Sequence, residues 1–154
     1  MPGDIDARLA ALGLSLPDAP APAANYVPYV LSGKLLHVAG QIPATDGKLV
    51  IGKLGRDTDI EAGAAAARLC ALSLLAQVKA ACDGDLDRLI RVVKLTGFVN
   101  STPDFTDQPK VINGASDLMV QVLGDAGRHA RAAVSAASLP FGVAVEVDGI
   151  FEIA

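Results

Sequence analysis

The 154-residue chain has no tryptophan, and phenylalanine and tyrosine together make up only 4% of it. Its 13 lysines and arginines are outnumbered by 17 aspartates and glutamates, which gives a net charge of −4 and a pI near 5.0. Proteins that bind nucleic acids through the phosphate backbone need basic surfaces, and single strands are also held by stacked aromatic rings. Because both features are scarce, we expect no nucleic-acid partner.

Cysteine and histidine are equally scarce, with two of each. Cys70 and Cys82 fall on one predicted helix, about 18 Å apart at a rise of ~1.5 Å per residue, which is beyond the reach of a disulfide. Neither cysteine has a partner at metal-ligand spacing, so we expect no metal. No GxGxxG or P-loop motif is present either, so we expect no nucleotide cofactor. Two buried thiols are typical of a reducing compartment, and residues 1–10 do not resemble a secretory signal. These observations predict a cytoplasmic protein.

Long uncharged apolar runs are also missing. The most apolar stretch, residues 62–81, is interrupted by Arg68 and Lys79, whereas a membrane span needs about 20 largely uncharged residues. The chain is 51% apolar with a mean hydropathy of +0.41, which excludes intrinsic disorder and is enough for one hydrophobic core. We therefore expect a single soluble domain over residues 1–154, with no membrane partner.

Hydrophobic periodicity and turn signals predict the order of the elements. A short helix is expected over residues 4–13, followed by a proline-rich connector to about residue 25. A β-hairpin is expected over residues 26–31 and 35–39, with a return strand at 49–51. Long helices are predicted to follow a capping box at Thr58–Glu61, up to Ala81, and to run from Thr106-Asp107 to Leu123. Further strands are predicted over residues 92–100, 131–137 and 143–153, so the pattern favours an α/β (α+β) fold with helices on one face of a sheet.

Two helices can cover only one face of such a sheet, and the other face is expected to be polar or to meet another subunit. Arg131 precedes a run of small residues that would let a planar carboxylate approach its guanidinium. Glu146 lies between two valines, where a carboxylate is either paired with an arginine or has a raised pKa. Spacing alone leaves open that both are ordinary structural or surface charges, and that His129 is a base or a polar surface residue.

Several segments together resemble the RidA family, also called YjgF-type or endoribonuclease L-PSP proteins. Val38 to Pro43 is similar to the family's Ser-Gly-Gln-Ile-Pro turn, and residues 98–105 are similar to its strand-to-helix passage. The most specific segment has Arg131, then Leu139-Pro140 eight positions later, then Val145-Glu146-Val147. The resemblance covers about residues 26–153.

The resemblance implies a chorismate-mutase-like fold, with a mixed β-sheet and two helices packed on one face, assembled as a homotrimer with active sites between subunits. It implies that Arg131 grips a small carboxylated metabolite, an imine or enamine acid such as 2-aminoacrylate, while Glu146 positions water. Tyr26, Ala39 and Gly40 would complete the substrate site. Hydrolysis would give a 2-keto acid and ammonia without a metal or cofactor.

The chain departs from the family pattern at several positions. The turn serine is replaced by Ala39, a cysteine often found after the arginine is replaced by Ala133, and Tyr29 competes with Tyr26 for the tyrosine position. Loss of the serine hydroxyl favours, as an alternative, a trimer that binds 2-keto acids without turnover. Two further alternatives are an endoribonuclease and a chorismate-type rearrangement, which would need several basic residues in one cleft.

Overall fold

In a computed structural model that describes residues 3–154, three α-helices and seven β-strands follow one another along the chain. They are α1 (Asp4–Ala11), β1 (Tyr29–Ser32), β2 (Leu35–Gln41), β3 (Ala44–Thr45), β4 (Lys48–Leu49), α2 (Ile60–Ala81), β5 (Leu89–Asn100), α3 (Gln108–Leu123), β6 (Ala130–Ala136) and β7 (Val145–Ile153). Short 3₁₀ turns lie at Leu86–Arg88, Gly124–Gly127 and Pro140–Gly142.

Five strands form one mixed sheet in the order β1-β2-β7-β5-β6. Only β5 and β6 run parallel, and the other neighbours are antiparallel. Strand β7 alternates as its sequence predicts: its odd-numbered residues are buried and its even-numbered residues are half-buried, from Val145 to Ile153. Helix α2 packs on β2 and β7, and α3 packs on β5 and β6, all on the same side. The predicted fold class is therefore confirmed, and we call the two sides of the sheet the helix face and the open face.

Helix α2 is the central element of the core. It begins one residue later than the capping box predicts: the Asp59 side chain, not Thr58, accepts the hydrogen bond from the Ala62 amide, at 2.8 Å. Thr58 instead donates its hydroxyl to the Asp57 carboxylate at 2.9 Å. Helix α2 is long and apolar enough to cross a membrane by length and composition alone, but most of its apolar window is buried inside the fold, as in the core helix of a soluble protein.

The hairpin and its return strand differ from their predicted bounds. Strand β1 begins at Tyr29 rather than Tyr26, because the preceding Pro28 has no amide proton to donate to a strand ladder. The return strand predicted at residues 49–51 is wrong beyond Leu49. There the chain turns toward the start of β7, where the Val50 carbonyl accepts from the Ala144 amide at 3.0 Å.

Helix α1 is held against the domain by a carboxylate from a distant turn. It has no side-chain cap of its own, but Asp87 accepts hydrogen bonds from the amides of Asp4 and Ile5 at 2.9 and 3.0 Å. Ile5 and Leu9 are buried in the core, and Lys79 of α2 forms a 3.0 Å ion pair with Asp6. The connector, residues 14–25, leaves this docked helix and runs over the surface to β1.

The open face of the sheet is not covered by any helix within residues 3–154. By register, Val30 of β1, Leu35 of β2 and Val134 of β6 lie on this face. They are 53%, 41% and 46% exposed. The open face therefore carries exposed apolar side chains at both ends of the sheet.

Candidate functional site

A β-bulge at the end of β2 brings Glu146 and Gly40 together. The register between β2 and β7 shifts between Val38 and Gln41, so that Ala39 and Gly40 occupy an extra position in the ladder. The half-buried Glu146 carboxyl lies directly over this bulge. A Cβ atom at Gly40 would lie 2.9 Å from the Glu146 Cδ atom, so the absence of a side chain there makes room for the carboxyl group.

The environment of Glu146 favours its neutral form. Burial raises the pKa of its carboxyl group, and the neighbouring carboxylate of Asp148 adds to the effect. Among residues 3–154, Glu146 has no ion-pair partner. A carboxyl group whose pKa is raised toward neutrality can both accept and return a proton, which is the property required of a general acid–base group.

A cavity of about 780 Å³ opens beside Glu146. Of the residues predicted to form the site, Tyr26, Ala39, Gly40 and Glu146 all line it. The Tyr26 hydroxyl accepts a hydrogen bond from the Ala23 amide of the connector at 3.1 Å. Tyr29, the alternative tyrosine, lies outside this cavity and lines a smaller one beside His37.

Two buried glutamines connect this cavity to the core, and sequence reasoning missed both. The Gln77 side-chain amide on α2 donates to the carbonyl oxygen of Pro20 at 2.7 Å, and it also contacts the Gln41 side-chain oxygen at 3.4 Å. Gln41 in turn donates to the Ala39 carbonyl at 2.9 Å. The two side chains, 1% and 6% exposed, thus fix both the bulge and the connector. Gln41 lies in the turn that resembles the family's Ser-Gly-Gln-Ile-Pro segment, although no role was predicted for its side chain, whereas Gln77 has no distinctive signal in the sequence.

Arg131 lies elsewhere, on the helix face of the edge strand β6. Its guanidinium donates to the Asn113 side-chain oxygen at 2.8 Å and to the Ser116 hydroxyl at 3.1 Å, both on α3. Arg131 is half-buried, and no carboxylate among residues 3–154 forms an ion pair with it. A guanidinium that is held in place but lacks an anionic partner can bind a ligand carboxylate in a bidentate manner.

His129 belongs to the same group of side chains. Its Nε2 atom lies 2.8 Å from the Ser116 hydroxyl, and its Nδ1 atom lies 2.6 Å from the Gly127 carbonyl. Burial lowers the pKa of the ring, the bond to Gly127 opposes this, and the charge of Arg131 lowers it further. The neutral ring with a proton on Nδ1 accepts from Ser116, which leaves the Ser116 oxygen free to accept from Arg131. His129 is therefore a half-buried support for Arg131 rather than a surface residue.

Arg131 and Glu146 do not meet within one chain. Arg131 is in register with Leu95, and Glu146 is in register with Phe98, three residues further along β5. An odd separation places the two side chains on opposite faces of the sheet. They are also two strand spacings and three residues apart, about 14 Å between Cα atoms at ~4.8 Å per strand and ~3.3 Å per residue.

Metal ligands do not cluster in the part of the chain that the structure describes. No group of three or more histidine, cysteine, aspartate or glutamate side chains there is placed to hold an ion. Cys70 and Cys82 are both buried and unbridged, and burial is the main factor that raises the pKa of each thiol. A raised pKa makes a cysteine a poor nucleophile, so both thiols act as core side chains.

The fold and these residues define a member of the YjgF-type class of proteins. A family model described as "YjgF/chorismate mutase-like, putative endoribonuclease" matches residues 6–151, so the chain belongs to this family, and the resemblance found in the sequence is confirmed. The chain is 56% identical over 153 residues to Protein TCP17 of Trypanosoma cruzi, covering 98% of this chain and 95% of that protein.

Solved structures show the same relationship. The Agrobacterium tumefaciens protein Atu1372, whose function is described as unknown, is 55% identical with a TM-score of 0.92, covering 98% of this chain and 93% of its own. The YjgF gene product of Escherichia coli is 27% identical with a TM-score of 0.63, covering 88% and 93%. The similarity therefore extends along nearly the whole chain for the first protein and less far for the second.

Proposed function

We propose that the protein hydrolyses reactive 2-imino and enamine acids to 2-keto acids and ammonia. The observation that carries this proposal is the half-buried Glu146 carboxyl, which has a raised pKa and lies over the Gly40 bulge at a cavity of substrate size. Arg131, held by Asn113 and Ser116, supplies the cation that such an acid needs for its carboxylate.

We further propose that the complete site forms between two copies of the chain in a homotrimer. Arg131 and Glu146 lie on opposite faces of one sheet, so one copy must supply the guanidinium and its neighbour the carboxyl group. The exposed Val30, Leu35 and Val134 on the open face support association of copies, because a closed ring buries the same surface of every subunit.

In this mechanism, Arg131 binds the carboxylate of the substrate and orients the adjacent imine carbon toward Glu146. An enamine acid first becomes the imine, as a proton is added to its terminal carbon and one is lost from its nitrogen. With the imine nitrogen protonated, Glu146 accepts a proton from a water molecule as the water oxygen bonds to the imine carbon, and the electrons of the carbon–nitrogen double bond move to nitrogen, giving a neutral carbinolamine. Glu146 then returns the proton to the nitrogen, the carbon–nitrogen bond breaks, and ammonia leaves. The carbonyl of the 2-keto acid forms with loss of the hydroxyl proton, so that one water is consumed for each ammonia released.

The test follows keto-acid release from freshly generated 2-aminoacrylate, with the wild type beside Arg131→Ala and Glu146→Gln. Arg128→Ala is the matched control, because the Arg128 side chain is 70% exposed and its ion-pair partner within residues 3–154 is an exposed aspartate, Asp125. We expect acceleration by the wild type and the control. Glu146→Gln should lose at least about 100-fold, as is typical when an acid–base group is removed, and Arg131→Ala about as much, because the substrate is no longer oriented toward Glu146. A folded Arg131→Ala variant with full activity would contradict the site.

Mixing the two inactive variants tests the shared site directly. Unfolding and refolding them together at equal amounts gives Glu146→Gln subunits with an intact arginine next to Arg131→Ala subunits with an intact glutamate. In a closed ring with random mixing, about one site in four then regains both groups. We expect activity to return to about a quarter of the wild-type value, whereas no recovery in a mixed oligomer would contradict a site between copies.

Two alternative functions, a non-catalytic binding trimer and an endoribonuclease, predict different results from the deaminase. Ala39 lacks the hydroxyl of the family turn, which favours a trimer that binds 2-keto acids without turnover. Such a protein would bind pyruvate in an Arg131-dependent way and leave the decay of 2-aminoacrylate unchanged. An endoribonuclease would cleave RNA with strong salt dependence, and cleavage that survives Arg131→Ala would replace the deaminase proposal.

A further inference from the structure

One wall of the Glu146 cavity is formed by the connector. Its contribution is mostly proline and alanine, with the one carboxylate of Asp18, namely Pro17, Asp18, Pro20, Ala21, Pro22, Ala23 and Ala24. The proline and alanine side chains have no charge and almost no rotamer freedom to lose, so they present a stiff apolar surface to a ligand. Elsewhere the lining includes the apolar side chains of Ile42, Leu49 and Phe141 and the polar side chains of Asp46, Ser73 and Gln77.

Phe141 is placed in the cavity by an unusual backbone. Its φ of 60° and ψ of 8° lie in the left-handed region, which is strained for a bulky side chain. The ring gains little burial in return, because Phe141 remains 64% exposed. Strain that no packing compensates is concentrated at sites that bind ligands. An exposed aromatic ring that lines the cavity is suited to contact an apolar group of a ligand.

The connector is fixed rather than free to move away from the cavity. Gln77, buried in α2, donates to the Pro20 carbonyl at 2.7 Å, and the Tyr26 hydroxyl accepts from the Ala23 amide. Leu14 and Leu16, at the start of the connector, pack against the core. The cavity is therefore a preformed part of the fold, as ligand-binding pockets usually are.

The cavity is larger than a three-carbon acid requires. Pockets of about 300–1,000 Å³ hold ligands of drug size, and this one measures about 780 Å³. We propose that the connector cavity is a side-chain pocket that selects 2-imino acids with a large apolar side chain, branched or aromatic, over 2-aminoacrylate. The proposal rests on the deaminase function, because it assigns the substrate class of the same site.

The experiment compares kcat/KM for two imines with that for 2-aminoacrylate. The imines of leucine and phenylalanine are generated in place by an L-amino-acid oxidase in the presence of catalase, and keto-acid release is followed for the wild type, Phe141→Gly and Ile51→Ala. Glycine is compatible with the left-handed backbone at position 141, so the first variant should fold. Ile51 is the control, since it is 66% exposed and does not line the cavity.

We expect the wild type to favour the large imines at least tenfold over 2-aminoacrylate. The ratio of large to small should fall about tenfold in Phe141→Gly, the effect of losing one aromatic contact, and should be unchanged in Ile51→Ala. Two results would contradict the proposed side-chain pocket: equal kcat/KM of the wild type for 2-aminoacrylate and for the large imines, or a wild-type ratio in Phe141→Gly. Either result would leave the deaminase function supported, because imines would still be hydrolysed.

If no imine is hydrolysed, the deaminase proposal is contradicted, and the side-chain pocket is tested by the binding of 2-keto acids instead. Calorimetry then compares 4-methyl-2-oxopentanoate with pyruvate on the same three proteins. Binding at least tenfold tighter for the larger acid, lost in Phe141→Gly, supports the pocket without catalysis. Equal affinity for the two acids overturns it.

Discussion

A single added methyl group at Gly40 should reduce catalysis while leaving the fold intact. The backbone at Gly40 is not in the left-handed region, so alanine can adopt it. Its Cβ atom would lie 2.9 Å from the Glu146 Cδ atom and 3.0 Å from Oε2, whereas ordinary contacts begin near 3.4 Å. The carboxyl group must therefore retreat by about half an ångström or more. It can do so, because it is the far end of a flexible side chain.

The size of the effect follows from this displacement. A shift of about 1 Å in a catalytic group can cost about 100-fold in rate, so half of that shift should cost about tenfold, or about 1.4 kcal/mol in the activation free energy. In the proposed site the substrate carboxylate is bound by the Arg131 of the neighbouring copy and not by the displaced Glu146, so the affinity for this carboxylate should hardly change. We expect Gly40→Ala to lower kcat about tenfold, with KM within about twofold and Tm within about 3 °C of the wild type.

The assay is steady-state release of keto acid, accompanied by a thermal melt. A double-mutant cycle isolates the contact: in the Glu146→Gln background, Gly40→Ala should cost less than about twofold, because the catalytic carboxyl is already absent. The reasoning is refuted if Gly40→Ala keeps the wild-type kcat, or if it costs the same factor of ten in both backgrounds.

Three further changes test other parts of the structure. Ser116→Ala removes a support of Arg131, so KM should rise about fivefold with kcat nearly unchanged; an equal fall in kcat would assign Ser116 to the chemical step. Glu146→Gln should raise Tm at pH values above the folded-state pKa of this carboxyl group, because that pKa is raised by burial and the charged form is disfavoured in the folded protein. The gain should vanish below about pH 4, where the carboxyl is protonated in both states; a gain that persists at low pH would contradict this origin. A Cβ at Gly114 would overlap a backbone carbonyl oxygen of α2, so Gly114→Ala should lower stability by about 1–3 kcal/mol in a urea melt, and an unchanged midpoint would show that α2 and α3 can separate freely.

Most of the secondary structure follows from local sequence signals. The period-2 pattern of β7 and the proline and glycine at the ends of α3 were sufficient to predict those elements. The bounds that differ depend on contacts distant in sequence. Strand β4 is short because Val50 pairs with Ala144, and α1 is capped by Asp87, which no local capping pattern could reveal.

The candidate site, too, could be predicted only in part from the sequence. The family spacing singles out Arg131 and Glu146, but it contains nothing that places them on opposite faces; that result comes from the pairing of β6 and β7 with β5. Ser116 and His129 are 13 residues apart in sequence and are joined only by the packing of α3 against β6. Sequence spacing therefore identifies chemical groups, and strand register decides which groups can act together.

The docking of α1 has a consequence for motion near the site. Because α1 is tied to Asp87 at one end of the connector and β1 lies in the sheet at the other, the connector is a closed loop and not a free arm. To swing widely away from the cavity, it must break the contacts of Ile5 and Leu9 as well as its own. The N-terminal helix and the connector should then open as one cooperative unit, with amide protons that exchange at a common rate. A protein fused to the N-terminus would therefore be attached directly to the unit that opens, whereas a protein fused after Ala154 would be attached to the sheet.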